Sequence, residues 1–379
     1  MEVIGIICEY NPFHNGHIYH INQIKKQYKD CIIILVMSGN FTQRGDVSII
    51  DKWDKAQIAL NYVDLVIELP FSYAVSSADI FAKGAITILK NLNVNKIVFG
   101  TETLTPDNLN KIANIQQEKK YNTLVKKYLK DGNSYPQSLA KAIHTLTKIK
   151  IESPNDILGL SYIKALQNTN ITPITIKRTT DYNSTKLTKN ITSATSIRNA
   201  LKHKQDIKNY VPDITYKYLK KHNHYNEQYF NLLKYKIISE ENHLNKYLNV
   251  DEGIENRIKK HIYSTSTREE LIQKLKSKRF TYTKINRMLT YILCGYTKED
   301  AKKYQKIEYI RVLGFNKKGR KYLKEIKNKT QIPIITKYTN KYETLALELK
   351  ASYIYYSKEK DKINLTLEEY KHKPINKEK

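Results

Sequence analysis

Residues 5–17 read Gly5-Ile6-Ile7-Cys8-Glu9-Tyr10-Asn11-Pro12-Phe13-His14-Asn15-Gly16-His17, and this stretch decides the fold. It begins in an apolar run of β character, residues 3–8, and ends by opening a helix-like segment, residues 16–29. Gly16 has no Cβ, so the backbone there can approach a ligand closely. The helix N-terminus beyond it offers unsatisfied N–H groups and the positive end of a dipole to a phosphate. His14 and His17, three residues apart, lie on one side of the turn and can face the same anion. Strand, glycine turn and helix together read as a phosphate-binding βα unit.

Outward from this stretch, β-rich runs recur at residues 31–37, 64–69, 96–99 and 171–176, with helix-like segments between them at 52–62, 78–91 and 154–167. Alternating strand and helix implies a parallel sheet with helices on both faces, an α/β, Rossmann-like domain over residues 1–200. Such sheets bind ligands at the carboxyl ends of their strands. Beyond residue 202 the pattern changes to amphipathic helices at 229–239, 255–264, 267–276, 283–293 and 298–306. Residues 201–379 are therefore expected as a basic, mainly helical domain with a small α/β end, a strand at 333–336 and a helix at 343–355. The charged stretch from Lys358 onward reads as a mobile tail.

Charge follows the same division. Of 379 residues, 65 are Lys or Arg and 37 Asp or Glu, a formal net charge of +28. Residues 1–200 hold 24 basic and 16 acidic residues; residues 201–379 hold 41 and 21 and carry 20 of the 30 tyrosines. Lys outnumbers Arg by 56 to 9, a bias that A/T-rich codons explain, but codon use does not explain the excess over acidic residues. An anionic partner such as nucleic acid does. Hydrophobic residues at 40% exclude global disorder. Three scattered cysteines (Cys8, Cys31, Cys294) exclude a disulfide framework and a zinc knuckle. The longest apolar run, residues 31–37, cannot span a bilayer, and the acidic start, Met1-Glu2-Val3, is not a signal peptide. A cytoplasmic protein is expected, with no membrane contact and no obligate protein partner evident.

Other motifs follow apolar runs. Gln43-Arg44-Gly45 comes after the second, and Arg44 is the only Arg in the first hundred residues, where a guanidinium fork suits oxyanions. Trp53, the only Trp, reads as core packing or a helix anchor. Gly100 ends the run at 96–99. Ser153-Pro154-Asn155 is a helix start, with Ser153 as cap and Pro154 in the first turn. Arg178 follows the run at 171–176. Ser193-Ala194-Thr195-Ser196-Ile197-Arg198 opens another helix, with hydroxyls and Arg198 able to form a second anion-binding element. Residues 276–284 interleave cations, hydroxyls and aromatics. Lys278, Arg279, Lys284 and Arg287, with Lys317 and Lys318, are candidate RNA contacts.

The HxGH element after the first strand resembles the signature of the nucleotidyltransferase superfamily related to class I aminoacyl-tRNA synthetases. Residues 5–17, Met37-Ser38-Gly39-Asn40-Phe41-Thr42-Gln43-Arg44-Gly45-Asp46 and Asp51-Lys52-Trp53 resemble the bacterial tRNA(Met) cytidine acetate ligase family. The likeness continues through Ser76-Ser77-Ala78-Asp79, Phe99-Gly100-Thr101-Glu102, Ser153-Pro154-Asn155-Asp156, Arg279-Phe280-Thr281-Tyr282-Thr283 and Arg311-Val312-Leu313-Gly314-Phe315. The resemblance implies ATP as co-substrate with Mg²⁺, and acetate and elongator tRNA(Met) as partners. It implies ATP contacts at Ile7, Cys8, Glu9, Tyr10, Asn11, Pro12, Phe13, Asn15, Gly16, His20, Gly100, Asn155 and Arg178. His14, His17 and Arg198 are then the catalytic candidates, with Gln43, Arg44 and Ser196 as further phosphate or substrate contacts. No carboxylate cage for a protein-held metal is evident.

Two alternatives stand beside this reading. A nucleotidyltransferase could adenylate a small phosphate-bearing metabolite with the same HxGH chemistry, which leaves the basic C-terminal half unexplained. A non-catalytic RNA-binding scaffold would have no reason to keep His14, Gly16 and His17.

Overall fold

A computed structural model describes residues 1–178, 192–221 and 223–378. Its centre is the sheet that the alternating pattern implies. Strands β1 (Glu2–Cys8), β2 (Cys31–Ser38), β3 (Leu65–Leu69), β4 (Lys96–Thr101) and β5 (Thr172–Lys177) are all parallel. Every residue of β2 is buried, as a strand covered on both faces must be. Its side chains alternate between the two faces. Ile32, Ile34 and Val36 pack with the helices Ala78–Asn91 and Pro154–Leu166, whereas Ile33, Leu35 and Met37 pack with Asn15–Gln27 and Lys52–Ala59.

The strand order is β5-β4-β1-β2-β3. From β1 the chain moves outward through β2 to β3. It then crosses back to β4 on the other side of β1 and continues to β5. The direction reverses between β1 and β4, and a crevice opens at such a switch point, outside the carboxyl ends of the strands.

The helical half follows, with helices including Phe230–Ser239, Ile254–Ile262, Arg268–Leu275 and Tyr282–Cys294. Its core encloses Phe41, Val47, Phe71 and Val75 from the first half, so the two halves share packing. The α/β end does not stand apart. Strands β6 (Ile310–Phe315), β7 (Ile334–Ile335) and β8 (Ile375–Asn376) extend the first sheet, with β6 antiparallel to β3 and paired to both β7 and β8.

The tail corrects an expectation. Residues after Lys358 are not loose: they form the helix Lys362–Lys371 and then β8. Glu369 is buried within hydrogen-bond distance of Lys52 (2.6 Å), Arg311 (3.1 Å) and Trp53 Nε1 (2.6 Å). Trp53 is buried and stacks on His372 at 3.6 Å between ring centroids. It is a packing anchor, as its sequence context suggests.

Candidate active site

His14 ends the loop after β1 and caps the helix Asn15–Gln27 from an extended backbone. Its Nδ1 accepts from the N–H of Gly16 at 3.0 Å, and Nδ1 of His17 accepts from the N–H of His14 at 3.2 Å. The imidazoles therefore form a reciprocal capping box, with ring centroids 3.8 Å apart. Because each Nδ1 accepts, the proton of each neutral ring sits on Nε2, which is the donor left for a ligand. Burial, helped by Arg178 and Arg198, lowers the His14 pKa to about 3. Burial and the adjacent His14 ring hold His17 well below its usual value, and burial with Arg178 lowers His20 to about 4. At neutral pH the pair offers neutral Nε2–H donors.

These rings line a cavity of about 490 Å³ at the switch point. One wall is formed by Val98, Phe99 and Gly100 of β4, Ile176 and Lys177 at the end of β5 with Arg178 just after it, and Asn155 and Leu158 of the helix Pro154–Leu166. A Cβ on Gly100 would lie 3.1 Å from Cγ of Arg178, so bare backbone leaves room for that side chain. Asn155 Nδ2 donates to Glu102 Oε1 at 2.6 Å. Asp156, fully buried, accepts from the N–H of Glu102 and the hydroxyl of Thr103. The helix start and the loop after β4 are thereby tied together. Asp156 was visible only as the residue after Ser-Pro-Asn.

The opposite wall comes from Thr42 to Arg44 and Asp46, with Thr283 and Arg287 of the helix Tyr282–Cys294. Gln43 N–H donates to the half-buried Glu9 carboxylate, and Gln43 Nε2 to the carbonyl of Ser76 at 2.7 Å. Burial raises the Glu9 pKa. Gly45 has φ +82°, and a Cβ there would fall 2.6 Å from the backbone nitrogen of Arg287, so glycine is required. Its carbonyl accepts from Thr290 Oγ1 at 2.6 Å and from the buried Arg268. Asn286 Nδ2 donates to the carbonyl of Arg44 at 2.9 Å. Helices of the basic half thus hold the Arg44 loop in place.

Two further residues join the pieces. Arg198 Nη1 donates to the carbonyl of Asn11 at 2.6 Å and Nη2 to Thr195 Oγ1 at 3.2 Å, which fixes the SxIR helix start against the HxGH loop. Lys55, which the motif reading missed, donates from Nζ to the carbonyls of Glu9, Ser38 and Gly39. It pins the ends of β1 and β2 together, and burial lowers its pKa to about 8. Its place on the inner face of the helix Lys52–Ala59 was the only signal available.

The cavity collects Ile7, Cys8, Glu9, Tyr10, Asn11, His14, Gly16, His17, His20, Gln43, Arg44, Gly100, Asn155, Arg178, Arg198 and Arg287. It does not collect Pro12 and Phe13, which are buried behind the loop, nor Ser196, which is buried with its hydroxyl 2.9 Å from that of Ser193. Asn15 points to the carbonyl of Asn209. Lys278 and Arg279 are exposed just before the helix that carries Thr283 and Arg287, and Lys284 lies over the Phe280 ring at 4.2 Å. Lys317 and Lys318 lie elsewhere. Because β6 is antiparallel to β3, its end meets the amino edge of the sheet, where Lys318 pairs with Asp30 at 2.9 Å. Arg287 is a wall residue of the cavity rather than part of the exposed cation cluster.

The neutral histidines make stability acid-sensitive in a defined direction. Unfolded rings hold protons below about pH 6.5, whereas folded His14 and His20 do so only near 3 and 4. Between these values the unfolded state binds more protons, so acid favours unfolding. Stability should be full above pH 6.5 and fall progressively towards pH 4. Unfolding midpoints across that window should show the slope, and His20→Gln should flatten it. A midpoint that stays level on acidification would contradict the burial of neutral rings.

The comparisons with known proteins agree with this geometry. A family model described as HIGH nucleotidyl transferase matches residues 1–369. A tRNA(Met) cytidine acetate ligase from Geobacillus sp. (strain WCH70) is 40% identical over 99% of this chain and 100% of its own. One from Clostridium acetobutylicum is 39% identical over 94% and 95%. The crystal structure of apo Thermotoga maritima TmcAL superposes with a TM-score of 0.91 at 30% identity over 99% of each chain. The form of that protein bound with alpha-thio ATP gives a TM-score of 0.89.

Proposed function

The chain belongs to the HIGH nucleotidyl transferase family, and from that premise we propose that it is an ATP-dependent ligase that acetylates N4 of the wobble cytidine of elongator tRNA(Met). The observation that carries this reading is the cavity itself. It joins paired histidines at a helix start to a wall supplied by the basic half.

In the first step a carboxylate oxygen of acetate attacks the α-phosphorus of ATP. The bond to the β-phosphate breaks, giving acetyl-adenylate and pyrophosphate. His14 and His17 donate from Nε2 to phosphate oxygens as charge develops there, and the Arg198 guanidinium neutralises the same oxygens. Gly100, Asn155 and Arg178 line the wall assigned to the nucleoside. A magnesium ion would arrive with ATP. Among the described residues no group of three His, Cys, Asp or Glu could hold a metal, so phosphate oxygens and water would supply its ligands. In the second step the cytidine N4 attacks the acetyl carbon and AMP leaves with the bridging oxygen, while N4 loses a proton. A wobble base is single-stranded and splays into a cavity at little cost.

We assign catalysis to residues 1–200, with β6 to β8 completing the sheet, and tRNA binding to residues 201–379. Lys278, Arg279 and Lys284, beside the helix that lines the cavity, are the surface we assign to tRNA phosphates. Lys317 and Lys318 face the opposite edge and fall outside it. Among the described residues no helix is long and apolar enough to cross a membrane, and we place the protein in the cytoplasm with its substrates.

Transfer of labelled acetate to elongator tRNA(Met), dependent on ATP, tests this reading. Binding of tRNA should weaken steeply with added salt, since cations on phosphates release counterions. Absence of both label transfer and tRNA binding at low salt would favour adenylation of a small metabolite instead.

A further inference from the structure

We propose that Arg287 is the receptor for the acetate carboxylate, a substrate-binding residue that the helical half delivers into the cavity of the parallel sheet. The proposal rests on the ligase reading above.

Arg287 lies in the second turn of the helix Tyr282–Cys294 and lines the cavity beside Arg44. Its Nε is buried and has no hydrogen-bond partner. Burial acts most strongly on its charge, followed by Tyr291 and the repelling Arg44, and no carboxylate among the described residues is set against it. Two fully buried arginines have partners for most of their guanidinium, although Arg268 Nη1 and Arg311 Nη2 are left without one. Arg268 donates to Asn286, Thr290 and Gly45, and Arg311 pairs with Glu68 and Glu369. A desolvated guanidinium without a counter-charge is costly, and a bound anion offsets that cost. Its base is rigid, because the backbone of Arg287 packs directly on Gly45.

The position selects the anion. The triphosphate is assigned to the HxGH turn and Arg198, and the nucleoside to the wall of β4 and β5. A nucleophile attacking the α-phosphorus must approach opposite the departing pyrophosphate. The wall that remains is on the β2 side, where Thr42 to Arg44 meet Arg287. A guanidinium fork matches a carboxylate, and each oxygen so held keeps a second lone pair for attack. Phe81 also lines the cavity and suits a methyl group.

The test is to measure KM separately for acetate, ATP and tRNA in the full transfer reaction. Arg287→Ala should raise KM for acetate by roughly ten- to a hundredfold, the loss of a charge-assisted hydrogen bond, with KM for ATP and tRNA nearly unchanged. Arg287→Lys keeps the charge without the fork and should fall between. It also serves as the folded comparison if the alanine variant unfolds. An unchanged acetate KM with a raised KM for ATP or tRNA would overturn the proposal and make Arg287 a phosphate contact. No acetate transfer by the unaltered protein would instead remove the ligase reading beneath it.

Discussion

Replacing His17 by Ala should lower acetate-dependent exchange of pyrophosphate into ATP by about a hundred- to a thousandfold, the usual loss for one preorganised donor to a developing charge. The exchange reaction isolates adenylate formation from transfer to tRNA. The expected size follows from geometry. The His17 ring is held by its Nδ1 on the His14 N–H and by the His14 ring 3.8 Å away. Its Nε2–H therefore needs no reorganisation as charge builds at the α-phosphate. His14→Ala should be as inactive and also less stable by about 1 kcal/mol, because it removes the helix N-cap. His17→Asn should recover part of the rate by restoring an N–H donor. Since both rings are neutral at physiological pH, their loss of function is a loss of donors and not of charge. Unchanged exchange in His17→Ala, with the fold intact by unfolding midpoint, would remove the histidines from the chemistry.

Glu369→Ala should destabilise the protein by about 3–5 kcal/mol, the penalty for removing one partner of a buried ion pair. Two cations, Lys52 and Arg311, meet two carboxylates, Glu68 and Glu369, with all four side chains almost fully excluded from solvent. Burial and Glu68 push the Glu348 pKa up to about 8, which favours its protonated form, so it is a weaker counter-charge than Glu68 or Glu369. Without Glu369 two buried positive charges share one carboxylate, and Trp53 Nε1 loses its acceptor. The exposed neighbour Glu368 gives the control: Glu368→Ala should leave the unfolding midpoint nearly unchanged. Equal midpoints for the two variants would mean that the last helix contributes nothing to the fold.

These residues also mark where the sequence was legible. The four inner strands β1 to β4 showed as apolar runs because both faces of the sheet are covered there, whereas β5, at the edge, is only half-buried; the histidine turn showed because its glycine sits where strand becomes helix. The membership of β6 did not show. Its partner β3 lies far earlier in the chain, and Arg311 near its start looks like one more surface cation until Glu68 and Glu369 converge on it. The tail misled for the same reason. High charge reads as solvated, and no local pattern tells that Glu369 has two buried cations waiting. Arg287 was legible as a cation on a helix. Helical period alone does not say that this face closes a cavity built by the other half of the chain.

Acetate carrying heavy oxygen in its carboxylate tests the central claim most directly. If acetate attacks the α-phosphorus, AMP released during acetylation of elongator tRNA(Met) must carry one acetate oxygen. The other must remain in the N4-acetyl group. Mass spectrometry of AMP, pyrophosphate and the wobble nucleoside reads this in a single incubation. Heavy oxygen in AMP and in N4-acetylcytidine, with none in pyrophosphate, is the expected result. AMP without heavy oxygen, or a wobble cytidine left unmodified, would contradict the account.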